Sequence, residues 1–206
     1  WIFGSYTMLV FQWAAVLFGG LGIYKFVRLI SESKKLATIA AVHFFSVWGI
    51  YSALSFDYHD NVVATMFVPW FLYYYHKQKL SKTILFFILI LISKENMALW
   101  AGFIALGLSL RHALNKEWGS LKLSGFLAFT AFLYFIVILK IIIPALSNTD
   151  GVYLHHSFNA LGSNFGEVIV NIFKHPIRAT ELLFENHSGD SFYDWMKVET
   201  YLALIL

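Results

Sequence analysis

The chain has 206 residues, of which 59% are hydrophobic and 19% aromatic, and only 13% carry charge. A water-facing domain carries roughly 25% charged residues, so this composition excludes a soluble globular protein and makes lipid the solvent for most of the chain. The absence of cysteine excludes a disulfide framework and thiolate metal sites, and the net charge of +3 comes from basic residues in short loops between apolar runs, a pattern of membrane topology and not of a nucleic-acid patch.

Trp1 to Tyr24 is charge-free and 24 residues long, enough to cross about 30 Å of hydrocarbon at about 1.5 Å per residue. It holds Gly4, Gly19, Gly20 and Gly22, and the small residues near Gly19 favour simple close packing over a dedicated dimer motif. No basic stretch precedes the run, so no signal-peptide pattern is present. Because the chain also stops within an apolar run at Tyr201 to Leu206, an internal piece of a larger membrane protein is expected. Lys25, Arg28, Lys34 and Lys35 form a first basic loop. Leu36 to Phe56 is a second charge-free run of 21 residues, in which His43 is expected to be hydrogen-bonded against a neighbouring helix. It ends in a polar knot, Asp57-Tyr58-His59-Asp60-Asn61, where Asp60 or Asn61 makes a good helix N-cap.

Asn61 to Tyr75 is apolar again, with a kink expected at Pro69. Trp70, Tyr73, Tyr74 and Tyr75 read as an interfacial aromatic belt beside Lys77, Lys79 and Lys82. Thr83 to Ile92 is too short to cross a bilayer, at about 15 Å of helix. A second knot, Ser93-Lys94-Glu95-Asn96, interrupts it before Met97 to Leu110 continues. Either the two pieces form a hairpin-like pair that turns below the far surface, or one helix carries Lys94 and Glu95 near mid-bilayer. Both arrangements put ionisable groups at depth, which is costly unless they are paired or face water. Arg111, His112, Lys116 and Lys122 make a third basic loop. Leu123 to Ile143 is a further run, with Lys140 snorkelling near its end and Pro144 closing it.

The rest is polar. Two amphipathic helices are predicted in it, one near Glu167 to Phe173 and one from Pro176 to Phe184 with proline in its first turn. Gly162 to Gly166 reads as a turn, and His155-His156 as a solvated pair more than as a metal site. The fold class is therefore an all-α polytopic integral membrane helical bundle with a small extracytoplasmic helical loop segment. Residues 1–146 hold about five spans, one pair short and hairpin-like, 147–199 form the loop segment, and 200–206 begin another span.

The three basic loops hold ten of the fifteen Lys and Arg, but only Glu32 and Glu117 of the twelve acids. Basic loops alternate with the two knots and the polar segment, so the positive-inside rule puts both knots and residues 147–199 on the extracytoplasmic side.

In the first knot, Asp57, His59 and Asp60 suit acid–base or metal chemistry. Asp57 and His59 can share a divalent ion only on non-helical backbone, since positions two apart on a helix diverge. In the second, Lys94 is a point charge able to hold phosphate, with Ser93 opening a helix whose N-terminus also favours anions. Glu95 could orient Lys94 or act as a base. No nucleotide-binding loop, nucleophile elbow or His-Glu-x-x-His helix is present.

Phe56-Asp57-Tyr58-His59, an apolar run, a basic turn, a short apolar run, Ser93-Lys94-Glu95-Asn96 and Met97-Ala98-Leu99 resemble a family of bacterial and archaeal integral membrane proteins. It is catalogued as domain of unknown function 2079 and labelled predicted membrane protein. That family typically shows Phe-Asp-Phe-His-Pro, then Lys-Glu-Asp opening the next helix. Leu161-Gly162 through Glu167-Val168 to Lys174-His175-Pro176-Ile177-Arg178 is similar to its extracytoplasmic segment. Asp60 stands where the family has Pro, and Asn96 where it has an acid. The resemblance covers roughly the whole chain.

The family is similar in layout to the GT-C glycosyltransferases, which take a sugar from a polyprenyl-phosphate carrier at the outer face of a membrane. That likeness implies a membrane glycosyltransferase-like protein in the plasma membrane of a prokaryote, with membrane lipid and a lipid-linked sugar donor as partners and no nucleic acid. It implies catalytic or acceptor-side roles for Asp57, His59 and Glu95, a carrier-phosphate contact at Lys94, and possible use of a divalent cation. A key acid of such enzymes lies in a loop that would precede Trp1. A transporter or flippase, and a non-enzymatic membrane subunit in which the knots only fix helix turns, are the alternatives.

Overall fold

The computed structural model describes residues 4–55, 57–146, 160–162 and 165–182. Every regular element among them is helical. The chain divides into two compact units, Trp1–Asp150 and Gly151–Leu206.

In the first unit, α1 (Thr7–Ser31) ends at Glu32 in the left-handed region. The Ser33 side chain then accepts the Leu36 N–H and opens α2 (Lys34–Ser46). The run expected to be one span breaks at Val47. There α2 gives way to α3 (Trp48–Ser55) with a bend of 45°. Val47 is extended, and Ser46 donates to the Val42 carbonyl at 2.8 Å, a back-bond that bends helices and competes with their continuation.

α4 (Asp60–His76) continues as one helix through Pro69. A tight turn at Lys77, Gln78 and Lys79, with Gln78 left-handed, leads into α5 (Leu80–Ser93). One extended residue, Lys94, separates α5 from α6 (Glu95–Leu114), so the continuous-helix alternative is not the one adopted. α7 (Trp118–Val137) follows a turn with Lys116 left-handed. Pro144 does not close this helix. A π turn at Ile138–Ile142 widens the backbone, and α8 (Ile143–Leu146) carries the chain on through the proline. The wider turn relieves the clash between a proline ring and the carbonyl four residues earlier.

Among the described residues, three helices are long and apolar enough to cross a membrane: Thr7–Ser31, Glu95–Leu114 and Trp118–Leu146. The bent α2–α3 pair makes a fourth if it is one span. At 17 residues, α4 falls short of the span expected for it, while α5, at 14, is short as expected. The outer surface is apolar, with Leu17, Phe103, Phe126, Phe129 and Ile136 each more than half exposed, as helices facing lipid require.

Two clusters form the interior. Ala64 and Phe71 of α4, Phe87 and Ile90 of α5, and the alanines of α6 and α7 make one. Val16 of α1 with Val63 and Met66 of α4 makes the other. Lipid tails are as apolar as leucine, so burying Phe71 or Ile90 gains dispersion contacts and little transfer energy. Small residues let the backbones approach. A Cβ at Gly19 would run into Met66, one at Gly20 into Phe45, and one at Gly22 would lie 2.8 Å from the Trp70 indole nitrogen. The glycines of α1 thus serve packing within the chain.

In the second unit, α9 (Phe165–Lys174) and α10 (Pro176–Glu181) match the two helices predicted there, with Pro176 in the first turn. Val168 is buried, whereas Phe173 and Ile177 are exposed. His155-His156 and residues 200–206 lie outside the described residues.

Candidate functional site

The two knots become the breaks between α3 and α4 and between α5 and α6. Helix direction puts them at one end of the bundle. α4 and α5 pack together across a three-residue turn, Phe71 against Phe87 at 5.8 Å and Trp70 against Phe86 at 5.9 Å, so they are antiparallel and Ser93 returns to the end where α4 began. α6 then runs back until His112 meets Tyr75 near the end of α4.

His59, in extended backbone, caps α4, and Asp60 is its first helical residue without a side-chain capping bond. This corrects the expectation that Asp60 or Asn61 caps. Asp60 instead sits beside Tyr58. Burial, and then the Asp60 carboxylate that bonds it, push the Tyr58 hydroxyl above its ordinary range. Asp57 is exposed and accepts the N–H of Tyr58 at 3.1 Å. The His59 side chain is exposed, but its backbone N–H donates to Gln12 Oε1 at 2.7 Å.

Gln12 was not anticipated. It is wholly buried in the second turn of an apolar helix, and its Nε2 donates to the Ala53 carbonyl at 2.8 Å. One side chain of α1 therefore satisfies a carbonyl before the first break and an N–H after it. Backbone freed by a helix break in lipid must be satisfied by protein, and a lone glutamine in an apolar run was the only sequence cue.

At the second break, Ser93 does not open a helix. It ends α5 and donates to the Leu89 carbonyl at 2.6 Å. Lys94 occupies the cap of α6 and Glu95 its first position, both half-buried. The two openings are alike: His59-Asp60-Asn61 and Lys94-Glu95-Asn96 each place a basic residue at an extended cap, an acid next, then an asparagine. The side-chain oxygens of Asn61 and Asn96 are buried without a hydrogen-bond partner. Buried acceptors of this kind suit a donor supplied by a ligand or water. Asp57 and His59 thus flank the first break and Lys94 and Glu95 the second, at the same end of the bundle. Among the described residues no three His, Asp or Glu side chains converge as a metal-ligand set.

The opposite end carries the basic turns. Tyr73 and Tyr74 lie half-buried under the lysines, Lys77 over Tyr73 at 5.1 Å and Lys82 over Tyr74 at 4.9 Å, as an aromatic belt does. Trp70 and Tyr75 leave that belt. Trp70 is buried and donates to the Phe18 carbonyl at 2.9 Å. Tyr75 is buried 2.9 Å from His112 Nε2, whose Nδ1 meets the Glu117 carboxylate at 2.5 Å. His43, expected to be packed, is exposed.

A family model described as "Predicted membrane protein (DUF2079)" matches residues 1–202. No curated protein and no solved structure matches.

Proposed function

From its membership of the DUF2079 family of predicted membrane proteins, to which this chain belongs, we propose that the protein is a glycosyltransferase-like membrane protein that takes its sugar from a lipid-linked, polyprenyl-phosphate donor at the extracytoplasmic face. The observation that carries this proposal is the pair of like helix openings at one end of the bundle, each with a basic cap, an acid and an asparagine whose oxygen is buried without a partner. In this assignment Lys94 holds the carrier phosphate as a point charge. Asp57 or His59 stands on the acceptor side, where a carboxylate or imidazole takes the proton of an attacking hydroxyl. Glu95 orients Lys94 or serves as the base, and the asparagine oxygens accept from sugar hydroxyls. Catalysis rests on holding donor and acceptor together.

Transport is the second reading, favoured by the bent α2–α3 pair and the break between α5 and α6, since discontinuous helices build transporter sites.

Binding of polyprenyl phosphate by the full-length protein in detergent tests the proposal. Binding is expected in the unmutated protein, lost in Lys94→Ala and kept in Asp57→Ala. A protein that binds no carrier phosphate at all would sink the transferase and leave transport.

A further inference from the structure

The basic end contains a cleft of about 450 Å³ lined by Tyr75, His76, Gln78, Arg111, His112 and Ser120 among others. Thr83 of α5, His112 of α6 and Tyr75 of α4 are buried and line it, and Ser124 of α7 is buried beside Tyr75. Thr83, His112 and Ser124 are three of the five buried polar residues among the described residues, Gln12 and Ser109 being the others. Polar groups in a membrane bundle are costly unless satisfied and concentrate where function needs them.

The wiring of the cleft is specific. Glu117 accepts from His112 Nδ1, which leaves Nε2 to face the Tyr75 hydroxyl. That hydroxyl also reaches the Ser120 carbonyl at 3.3 Å. With the Nδ1 proton turned to Glu117, Nε2 accepts from the Tyr75 hydroxyl, so the groups of this wall are satisfied within the protein. Glu117 is the acid of the cleft and is engaged by His112. Arg111 is exposed at the cleft and has no carboxylate partner among the described residues. Leu80 and Leu123 supply apolar wall beside it. The neighbouring lysines are held elsewhere, over Tyr73 and Tyr74 on the belt, which sets the cleft at the level of a membrane interface.

The geometry points to a phosphate-binding site in this cleft, with Arg111 as its fork and the Tyr75–His112–Glu117 relay as its wall. An unpaired guanidinium favours phosphate through two parallel N–H donors. The same chemistry is offered by the headgroup of an anionic phospholipid and by a soluble phosphate. The site lies at the opposite end of the bundle from Lys94 and does not depend on the transferase assignment.

The experiment is native mass spectrometry of the full-length protein released from nanodiscs of mixed phosphatidylglycerol and phosphatidylcholine, with and without millimolar inorganic phosphate. Arg111→Gln is the test variant, because Arg111 is exposed and outside the buried network. Lys35→Gln, exposed on another basic turn, is the control. Retained phosphatidylglycerol is expected to fall about tenfold in Arg111→Gln, the loss of one charge-assisted contact, and to hold in Lys35→Gln. Displacement of that lipid by inorganic phosphate identifies a site that takes the free ion. Retention in its presence identifies a headgroup site. Equal retention in all three proteins, or an equal loss in both variants, overturns the proposal.

Discussion

At one end of the bundle, Asp57 and His59 are exposed and Lys94 and Glu95 half-buried; at the other, Tyr75 and His112 are buried and wired to Glu117 and Ser120. The backbones differ as well. The knots turn on extended cap residues, whereas each of the three basic turns closes on a left-handed residue, Glu32, Gln78 or Lys116. Residues that stand out in the sequence by their charge thus sit nearer the surface, while a buried polar network sits beside loops that looked like topology markers. Charge against an apolar background announces itself, but preorganisation is a matter of partners, which lie far apart in the chain.

The contrast can be broken first at Gln12. Gln12→Leu strands the Ala53 carbonyl and the His59 N–H, and is expected to cost about 3 kcal/mol from two unsatisfied backbone groups. Reversible unfolding in mixed micelles measures it. A loss below about 1 kcal/mol would mean that the first break is held by something other than this clamp. The next effect is at the basic end. His112→Leu removes the partner of Tyr75 and Glu117 together, and a loss of about 2 kcal/mol is expected by the same assay. The smallest effects belong to the knots. Asp57→Asn and Lys94→Ala should each leave stability within about 0.5 kcal/mol, and a larger loss in either would make that knot a fastening of the fold and not a surface kept for chemistry.

Much of the architecture was legible because lipid imposes a simple rule, apolar run then polar turn. The order of α1, α4, α6 and α7, the short α5, and helices α9 and α10 follow from it directly. The break at Val47 did not follow, since nothing in the apolar pattern around it distinguishes a bend from a straight helix; Ser46, just before it, bonds back to the Val42 carbonyl. The π turn before Pro144 was read as a stop because proline more often ends a helix than widens one. The caps were misassigned at each knot, His59 standing where Asp60 or Asn61 was expected and Lys94 where Ser93 was, because cap propensity favours small polar side chains and neither helix uses a side-chain cap. Of the candidate site, the position of each knot at a helix break could be read locally. The orphaned oxygens of Asn61 and Asn96 could not, since they depend on what surrounds them. His112 and Tyr75, 37 residues apart, were hidden for the same reason, each resembling an ordinary member of an interfacial loop.

The Gln12 clamp also imposes an order of events on biosynthesis. Its partner at His59 lies 47 residues further along, so at about 5–20 residues per second the ribosome delivers it roughly 2–10 s later. During that interval the partners that Gln12 has in the folded protein have not yet been made, and the α3–α4 segment brings both. A polar side chain of this kind acts as glue between helices. The first span is therefore a waiting half of a joint, completed only when the fourth helix has begun to enter the membrane.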